Sequence, residues 1–419
     1  MKLRLTKTMQ DVQWAFISLA ISSLVHFLLR VVLGRELGAS GLGLYTLVFT
    51  IYMFGMQFAA FGIGAALTKY VAEHNENGKK IREFVSSGLI GSFSSGLIMG
   101  VLVYLFSNVI AINIFHSPEM VHLLKMTAVC FPFIALQKTA LGTLNGLRKM
   151  NCFALVNIIQ NFSVFALSII LVILFKMNVT GAVLGFVVPT IFVSLFSLYF
   201  IKDFFEVPSK LFDTVSRELS WFGFYVVLTN SVGLILVQIG SLLIGYFMDE
   251  TEVGYYAVAV VLVQGITLLP GAIQRVTTPA IATYHGKGEY ESIRELIKKV
   301  MLKTFLVTVF LSVLLVIFGK FLIIFLFTEE FLPAYIPLLI LLIGYTIYAF
   351  TISVGGALSS IGKVNIAFRI DALCALINII LNILLIPKFG IVGAASATSI
   401  SLIITVAMVL AFLKRYIFK

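Results

Sequence analysis

Apolar residues run along this chain in blocks of about 20, separated by short polar clusters that are mostly basic. A helix needs about 20 apolar residues to cross the hydrocarbon layer of a bilayer, and about twelve blocks meet that length. They fall at about 12–33, 44–67, 84–106, 119–142, 152–175 and 182–201 in the first half of the chain. The second half supplies about 219–247, 257–282, 300–326, 335–358, 367–386 and 391–413. Between blocks the chain is short and polar, and no segment is long enough to form a soluble domain.

The pattern also repeats. Leu33 to Tyr45 (LGRELGASGLGLY) returns about 211 positions later as Ile244 to Tyr256 (IGYFMDETEVGYY), with glycine at Gly34 and Gly245 and again at Gly43 and Gly254. Ile81-Arg82-Glu83 is echoed by Ile293-Arg294-Glu295, Gly142 to Asn151 by Gly356 to Asn365, and Gly181-Ala182 by Gly393-Ala394. Self-similarity at a fixed offset in an apolar chain marks a two-lobe transporter. With six helices per copy both copies enter the membrane from the same side, so the repeats are parallel. The expected architecture is an all-α polytopic membrane protein with lobes at 1–205 and 206–419. A linker at about 202–220 places Leu211, Phe212, Val215 and Leu219 at helical spacing, which predicts an amphipathic helix lying along the headgroups. Residues 68–83 and 283–299 are expected as the other sizeable loops on the same side. Pro132, Pro189 and Pro270 fall inside predicted helices, where a missing donor can kink the backbone.

Composition agrees with the pattern. Hydrophobic residues make up 60% of the chain and charged residues 12%, more apolar surface than a water-soluble globule can cover. The net charge of +11 is explained by its placement. With the N-terminus inside, about twenty lysines and arginines fall on inside segments, whereas the outside segments carry Arg35, Lys176 and Lys388. That bias predicts both termini in the cytoplasm, attraction to anionic headgroups and no nucleic-acid partner. Predicted helix 1 follows a basic start and is too long for the apolar core of a cleavable leader, so it is expected to serve as its own insertion signal. Cys130, Cys152 and Cys374 lie in or beside predicted helices and make neither a disulfide framework nor a zinc site.

A charge inside a span costs about 3 kcal/mol at mid-membrane and normally faces protein or water, so each is a candidate. His26 and Arg30 share one face of predicted helix 1. Predicted helix 4 carries Lys125 and Lys138, predicted helix 8 carries Gln274 and Arg275, and predicted helix 11 starts with Arg369 and Asp371. Asp371 is the one carboxylate well inside a span, hence the candidate for Na+ or H+ coupling. Asn157, Gln160 and Asn161, with Asn230 and Gln238, are amides able either to line a sugar-binding cavity or to bond helix to helix. No metal-ligand spacing, phosphate-cradling glycine loop or catalytic carboxylate pair is present, so no enzymatic residue, metal or cofactor is expected. Asn178-Val179-Thr180 matches a glycosylation acceptor on an outside loop.

Leu33 to Glu73 (LGRELGASGLGLYTLVFTIYMFGMQFAAFGIGAALTKYVAE) resembles the polysaccharide flippase family, of the superfamily that includes the multidrug and toxin extrusion antiporters and the lipid II flippases. The LGR-x-LG-x-x-G-x-G-x-Y turn and the small-residue helix ending in ALTKYVAE carry the resemblance. Gly142 to Asn151 (GTLNGLRKMN), Gly356 to Asn365 (GALSSIGKVN) and the helix starts at Gly181 and Gly393 extend it over essentially the whole chain. The second turn departs from the first in having Tyr246 where Arg35 stands.

The resemblance implies two six-helix lobes forming a V that opens alternately to each side. Its implied cargo is an isoprenoid-diphosphate-linked oligosaccharide, carried to the outer leaflet of the cell membrane. It also implies glycan polymerases or glycosyltransferases as partners and a functional monomer. Arg30, Arg275 and Arg369 are the residues expected at the diphosphate, with His26, Lys138, Gln274, Asn161 and Asn230 around it. The rival functions are a cation-coupled drug antiporter of the same fold, which needs acids within the lobes, and a lipid II-type flippase.

Overall fold

A straight helix of 54 residues would be about 80 Å long, more than twice the thickness of the hydrocarbon layer, so α1 (Lys7–Ala60) is too long to be one span. The computed structural model describes residues 7–206 and 212–418, and in it α1 breaks at Gly38, with φ 68° and ψ −173°. The last helix, α13 (Val364–Tyr416, 53 residues), breaks in the same way at Gly390, with φ 58° and ψ −139°. Both conformations lie in the region that glycine occupies without a Cβ clash.

Between them run α2 (Ile63–Glu73), α3 (Gly78–Asn108), α4 (Met120–Ala128), α5 (Cys130–Gly146), α6 (Met150–Ile169) and α7 (Asn178–Tyr199). After the linker come α8 (Phe212–Phe247), α9 (Glu250–Lys287), α10 (Tyr290–Leu326), α11 (Tyr335–Ile352) and α12 (Ala357–Ser360). Among the described residues nine helices are long and apolar enough to cross a membrane, ten with α4 and α5 taken as one span bent by 42°. Because α1 and α13 each hold two spans, the expected twelve helices in two sets of six are accounted for.

Two expectations need correction. Residues 68–83 and 283–299 are mostly helix: only 74–77 separate α2 from α3, and 288–289 separate α9 from α10. The apolar blocks mark the part of each helix that meets hydrocarbon, and the helices continue past it because their end turns stay hydrogen-bonded in water. The linker also differs from the expected surface helix. Residues 207–211, Leu211 among them, lie outside the described residues, and so does the side chain of Phe212. Val215 and Leu219 are buried against Ile63, Leu67, Phe84 and Val85, so the described part of that apolar stripe is covered by protein.

What the helices show to the outside is hydrocarbon. In α10 the most apolar stretch has a mean hydropathy of 2.8 and only 17% of it is buried, an exposure that water would penalise and lipid does not. Buried hydroxyls are served locally. Thr127, Thr139, Thr143 and Thr190 each donate to the carbonyl four residues earlier, the usual way to satisfy such groups without water.

Two compact units are present. The first is the chain up to Leu37 together with Leu47–Ser231; the second is Gly38–Thr46 together with the chain from Val232 onward. Each has its own apolar core, and the repeated Ile-Arg-Glu segments place Ile81 in the first and Ile293 in the second. The short segment Gly38–Thr46 is bound into the second unit by specific contacts. The Ala39 N–H donates to Glu330 Oε1 at 2.9 Å, and a Cβ on Gly43 would stand 2.9 Å from the Gly254 nitrogen and strike the Glu250 carbonyl. A Cβ on Gly254 would in turn strike the Ala39 carbonyl. The glycines shared by the two repeat copies thus form one backbone crossing.

Candidate functional site

Residues four apart stack on one helix face, and α1 carries Ser22, His26 and Arg30 at that spacing. Opposite it α6 carries Asn157, Gln160 and Asn161, so two polar stripes meet inside the first unit. Asn161 Nδ2 donates to Ser22 Oγ at 2.6 Å and to the Asn157 carbonyl at 2.7 Å. The His26 and Asn161 side chains share a hydrogen bond, and Arg30 is near enough to His26 for their charges to interact. The seam continues through Gln137 of α5, whose Nε2 donates to Gln160 Oε1 at 3.3 Å, and Gln160 Nε2 donates to Thr190 Oγ1 of α7 at 3.2 Å.

The seam is polar at the depth where lipid offers no hydrogen bonds. Asn157 satisfies itself on the Phe153 carbonyl at 2.9 Å. Gln137 Oε1, by contrast, is buried with no partner among the described residues. Amide and imidazole groups with spare valences suit hydroxyl-rich ligands. Arg30 adds a permanent cation with a planar donor fork matched to phosphate oxygens. Of the residues singled out from sequence, the structure therefore brings His26, Arg30, Asn157, Gln160 and Asn161 into one seam.

The others stand elsewhere. Lys138, on α5, is half-buried, and its own carbonyl lies where a Cβ on Gly64 would go. Asn230, on α8, is exposed, with Nδ2 3.5 Å from Gln57 Oε1 in the same unit. In the second unit Gln274 packs its amide against Gly355, 2.7 Å from where a Cβ would stand. Arg275 and Arg369 are exposed, and neither has a carboxylate within ion-pair distance among the described residues. Asp371 is half-buried near Tyr348 and Cys374.

Sequence reasoning passed over Ser22, Gln137, Thr190 and Gln57, and also Asn378 and Asn382 of α13. Asn378 Nδ2 donates to the Leu236 carbonyl at 3.2 Å, and Asn382 donates to the Asn378 carbonyl at 2.8 Å and also bonds its side chain. The signal was available for four of them. Ser22 continues the four-residue spacing of His26 and Arg30, Gln137 precedes Lys138, and Asn378 and Asn382 repeat the spacing of Asn157 and Asn161.

Twelve spans in two repeated sets of six, with an amide-rich seam at membrane depth, define a multi-pass α-helical membrane transporter fold. The chain belongs to the family described as polysaccharide biosynthesis protein, whose model matches residues 8–285. A second model, MatE, matches residues 226–384. Among curated relatives, a putative O-antigen transporter of Shigella flexneri is 21% identical, over 93% of this chain and 94% of the relative. A probable low-salt glycan biosynthesis flippase of Haloferax volcanii is 23% identical, over 96% of this chain and 82% of the relative. Among solved structures, the lipid II flippase MurJ in an inward closed conformation superposes with a TM-score of 0.81 at 20% identity, covering 96% of this chain and 87% of MurJ.

Proposed function

We propose that this protein moves an isoprenoid-diphosphate-linked oligosaccharide from the cytoplasmic to the outer leaflet of the cell membrane by alternating access, for surface glycan assembly. The observation that carries this reading is the seam in the first unit, where Arg30 stands beside the hydrogen-bonded His26, Asn161 and Ser22. A diphosphate needs a cation to leave water, sugar hydroxyls need amides, and the isoprenoid tail stays in lipid throughout. Family membership and the names of the two curated relatives support the same reading.

The rest of the reading follows the charge pattern and the repeat. Both termini are cytoplasmic, the two copies of the repeat span 1–205 and 206–419, and the protein works as a monomer beside glycosyltransferases or a glycan polymerase. Arg275 and Arg369 supply further cations to the diphosphate, with Lys138, Gln274 and Asn230 at its margins, and Asp371 couples the cycle to Na+ or H+. One observation favours a cation-coupled drug antiporter instead: Asp371 is half-buried with no ion pair among the described residues, which is how a cation-binding carboxylate stands when empty.

The deciding experiment is reconstitution into vesicles with a defined lipid-linked oligosaccharide, followed by lectin access to the outer leaflet. Arg30→Ala and Arg275→Ala are each expected to slow outward movement about tenfold or more, the usual effect of losing a hydrogen bond to a charged group, while membrane insertion stays normal. Full-rate movement in both variants, or ion-driven drug efflux with no movement of the glycolipid, overturns the proposal.

A further inference from the structure

Where α10, α11 and the end of α13 meet in the second unit there is a crevice of about 320 Å³. Met301, Phe350, Leu410 and Phe418 are among the five apolar residues that line it; the other two are Lys298 and Lys414, and among the described residues no carboxylate lines it. The walls are held in place. Arg294 Nε donates to the Ile417 carbonyl at 2.6 Å, tying the end of α13 to α10. The Lys298 ammonium lies over the Phe418 ring, 5.6 Å from its centroid. More positive charge surrounds the crevice on the same turns: Lys299 is exposed, and Arg415 and Lys363 both lie against the Tyr416 ring. Of the nearby carboxylates, Glu291 is engaged by Arg294 at 3.4 Å, and Glu295 sits exposed one turn before Lys298 and Lys299.

We infer that this crevice binds one anionic phospholipid, with an acyl chain on the apolar floor and the headgroup phosphate between Lys298 and Lys414. The chemistry excludes most other occupants. A free phosphate has no use for a floor of Met, Leu and Phe, and a neutral lipid has none for two lysines bordering it. Two exposed lysines bordering an apolar crevice give it a positive potential that an anion relieves, and basic residues at a helix end near the surface are the usual partners of anionic headgroups. The leaflet follows from the orientation proposed above, and in that orientation it is the cytoplasmic one. The site itself stands on its own lining residues and does not depend on the transported substrate.

The test uses the full chain in phosphatidylcholine nanodiscs holding a small fraction of phosphatidylglycerol with a photoactivatable acyl chain, and maps the cross-linked peptides by mass spectrometry. Label is expected on the α10 and α13 peptides that bear Met301 and Leu410. With each lysine worth about fivefold near an anionic surface, Lys298→Gln with Lys414→Gln is expected to lower that labelling about 25-fold. Lys298→Arg with Lys414→Arg is expected to keep it, which separates loss of charge from loss of fold. Lys320→Gln, at the other end of α10, is expected to leave labelling unchanged. Equal labelling by photoactivatable phosphatidylcholine, or full labelling of the double Gln variant, overturns the inference. So does displacement of the label by one equivalent of an isoprenoid diphosphate, which makes the crevice part of the substrate path. Because glycolipid movement is measured separately, normal transport with no lipid label sinks this inference alone, and label with no transport sinks only the flippase reading.

Discussion

Asn161 makes three side-chain contacts inside the first unit, to Ser22, to the Asn157 backbone and to His26, so it both sets the seam and presents it. Asn161→Ala is expected to cost about 0.6–1.7 kcal/mol of stability, the range for a polar contact between membrane helices. Asn161→Asp keeps the size but reverses the local polarity beside Arg30. It is expected to weaken glycolipid movement more than the alanine variant does, and to lower the melting temperature in detergent at least as much, because a carboxylate cannot donate to the Asn157 carbonyl. Equal transport in both variants would reduce Asn161 to a packing residue. Among the described residues of the second unit, the buried Asn382 bonds only to Asn378 of its own helix. Asn382→Leu is expected to cost about 1–3 kcal/mol, because it leaves the buried Asn378 side-chain oxygen without its donor; thermal unfolding in detergent checks this.

At the scale of elements, the breaks matter more than the helices. Gly38 holds φ 68° in the middle of α1, and the Glu330 carboxylate lies 3.2–3.3 Å from where its Cβ would be. Gly38→Val is expected to cost about 1–2 kcal/mol from the left-handed backbone alone, with further loss from crowding Glu330. Glu330→Ala removes the acceptor of the Ala39 N–H and is expected to cost about 1–2 kcal/mol. The double variant Gly38→Val/Glu330→Ala should then be less destabilised than the sum, since one variant removes what the other crowds. A strictly additive melting shift would mean the two residues act independently.

Much of this was legible in the chain beforehand, because twenty apolar residues in a row report a span directly and a duplicated motif reports two lobes. The fate of Val215 and Leu219 was not legible. An amphipathic stripe looks the same whether lipid or protein covers it, and only packing decides. The polar network was half legible for a similar reason. His26, Arg30 and Asn161 stand out as unusual residue types at depth, whereas Ser22 and Thr190 are as common on ordinary helix faces as in binding sites.

At the scale of the whole molecule, the asymmetry of lysine and arginine makes an orientation that single cysteines can read. In a background without Cys130, Cys152 and Cys374, Lys79→Cys is expected to react with an impermeant maleimide only after the membrane is opened, and Lys176→Cys in intact cells. The reverse pattern would invert the topology and, with it, the leaflet of the crevice beside Lys298. Chain order and spatial membership also part company here. Gly38–Thr46 is encoded in the first copy of the duplication yet packs with the second, through Glu330 and the crossing at Gly254. A gene divided at the linker would therefore produce two fragments that are each incomplete: the downstream one would lack a strip of its own interior, and the upstream one would carry that strip with nothing to seat it. Co-expressed fragments must find each other to be whole, and what looks like a modular duplication behaves as a single indivisible protein.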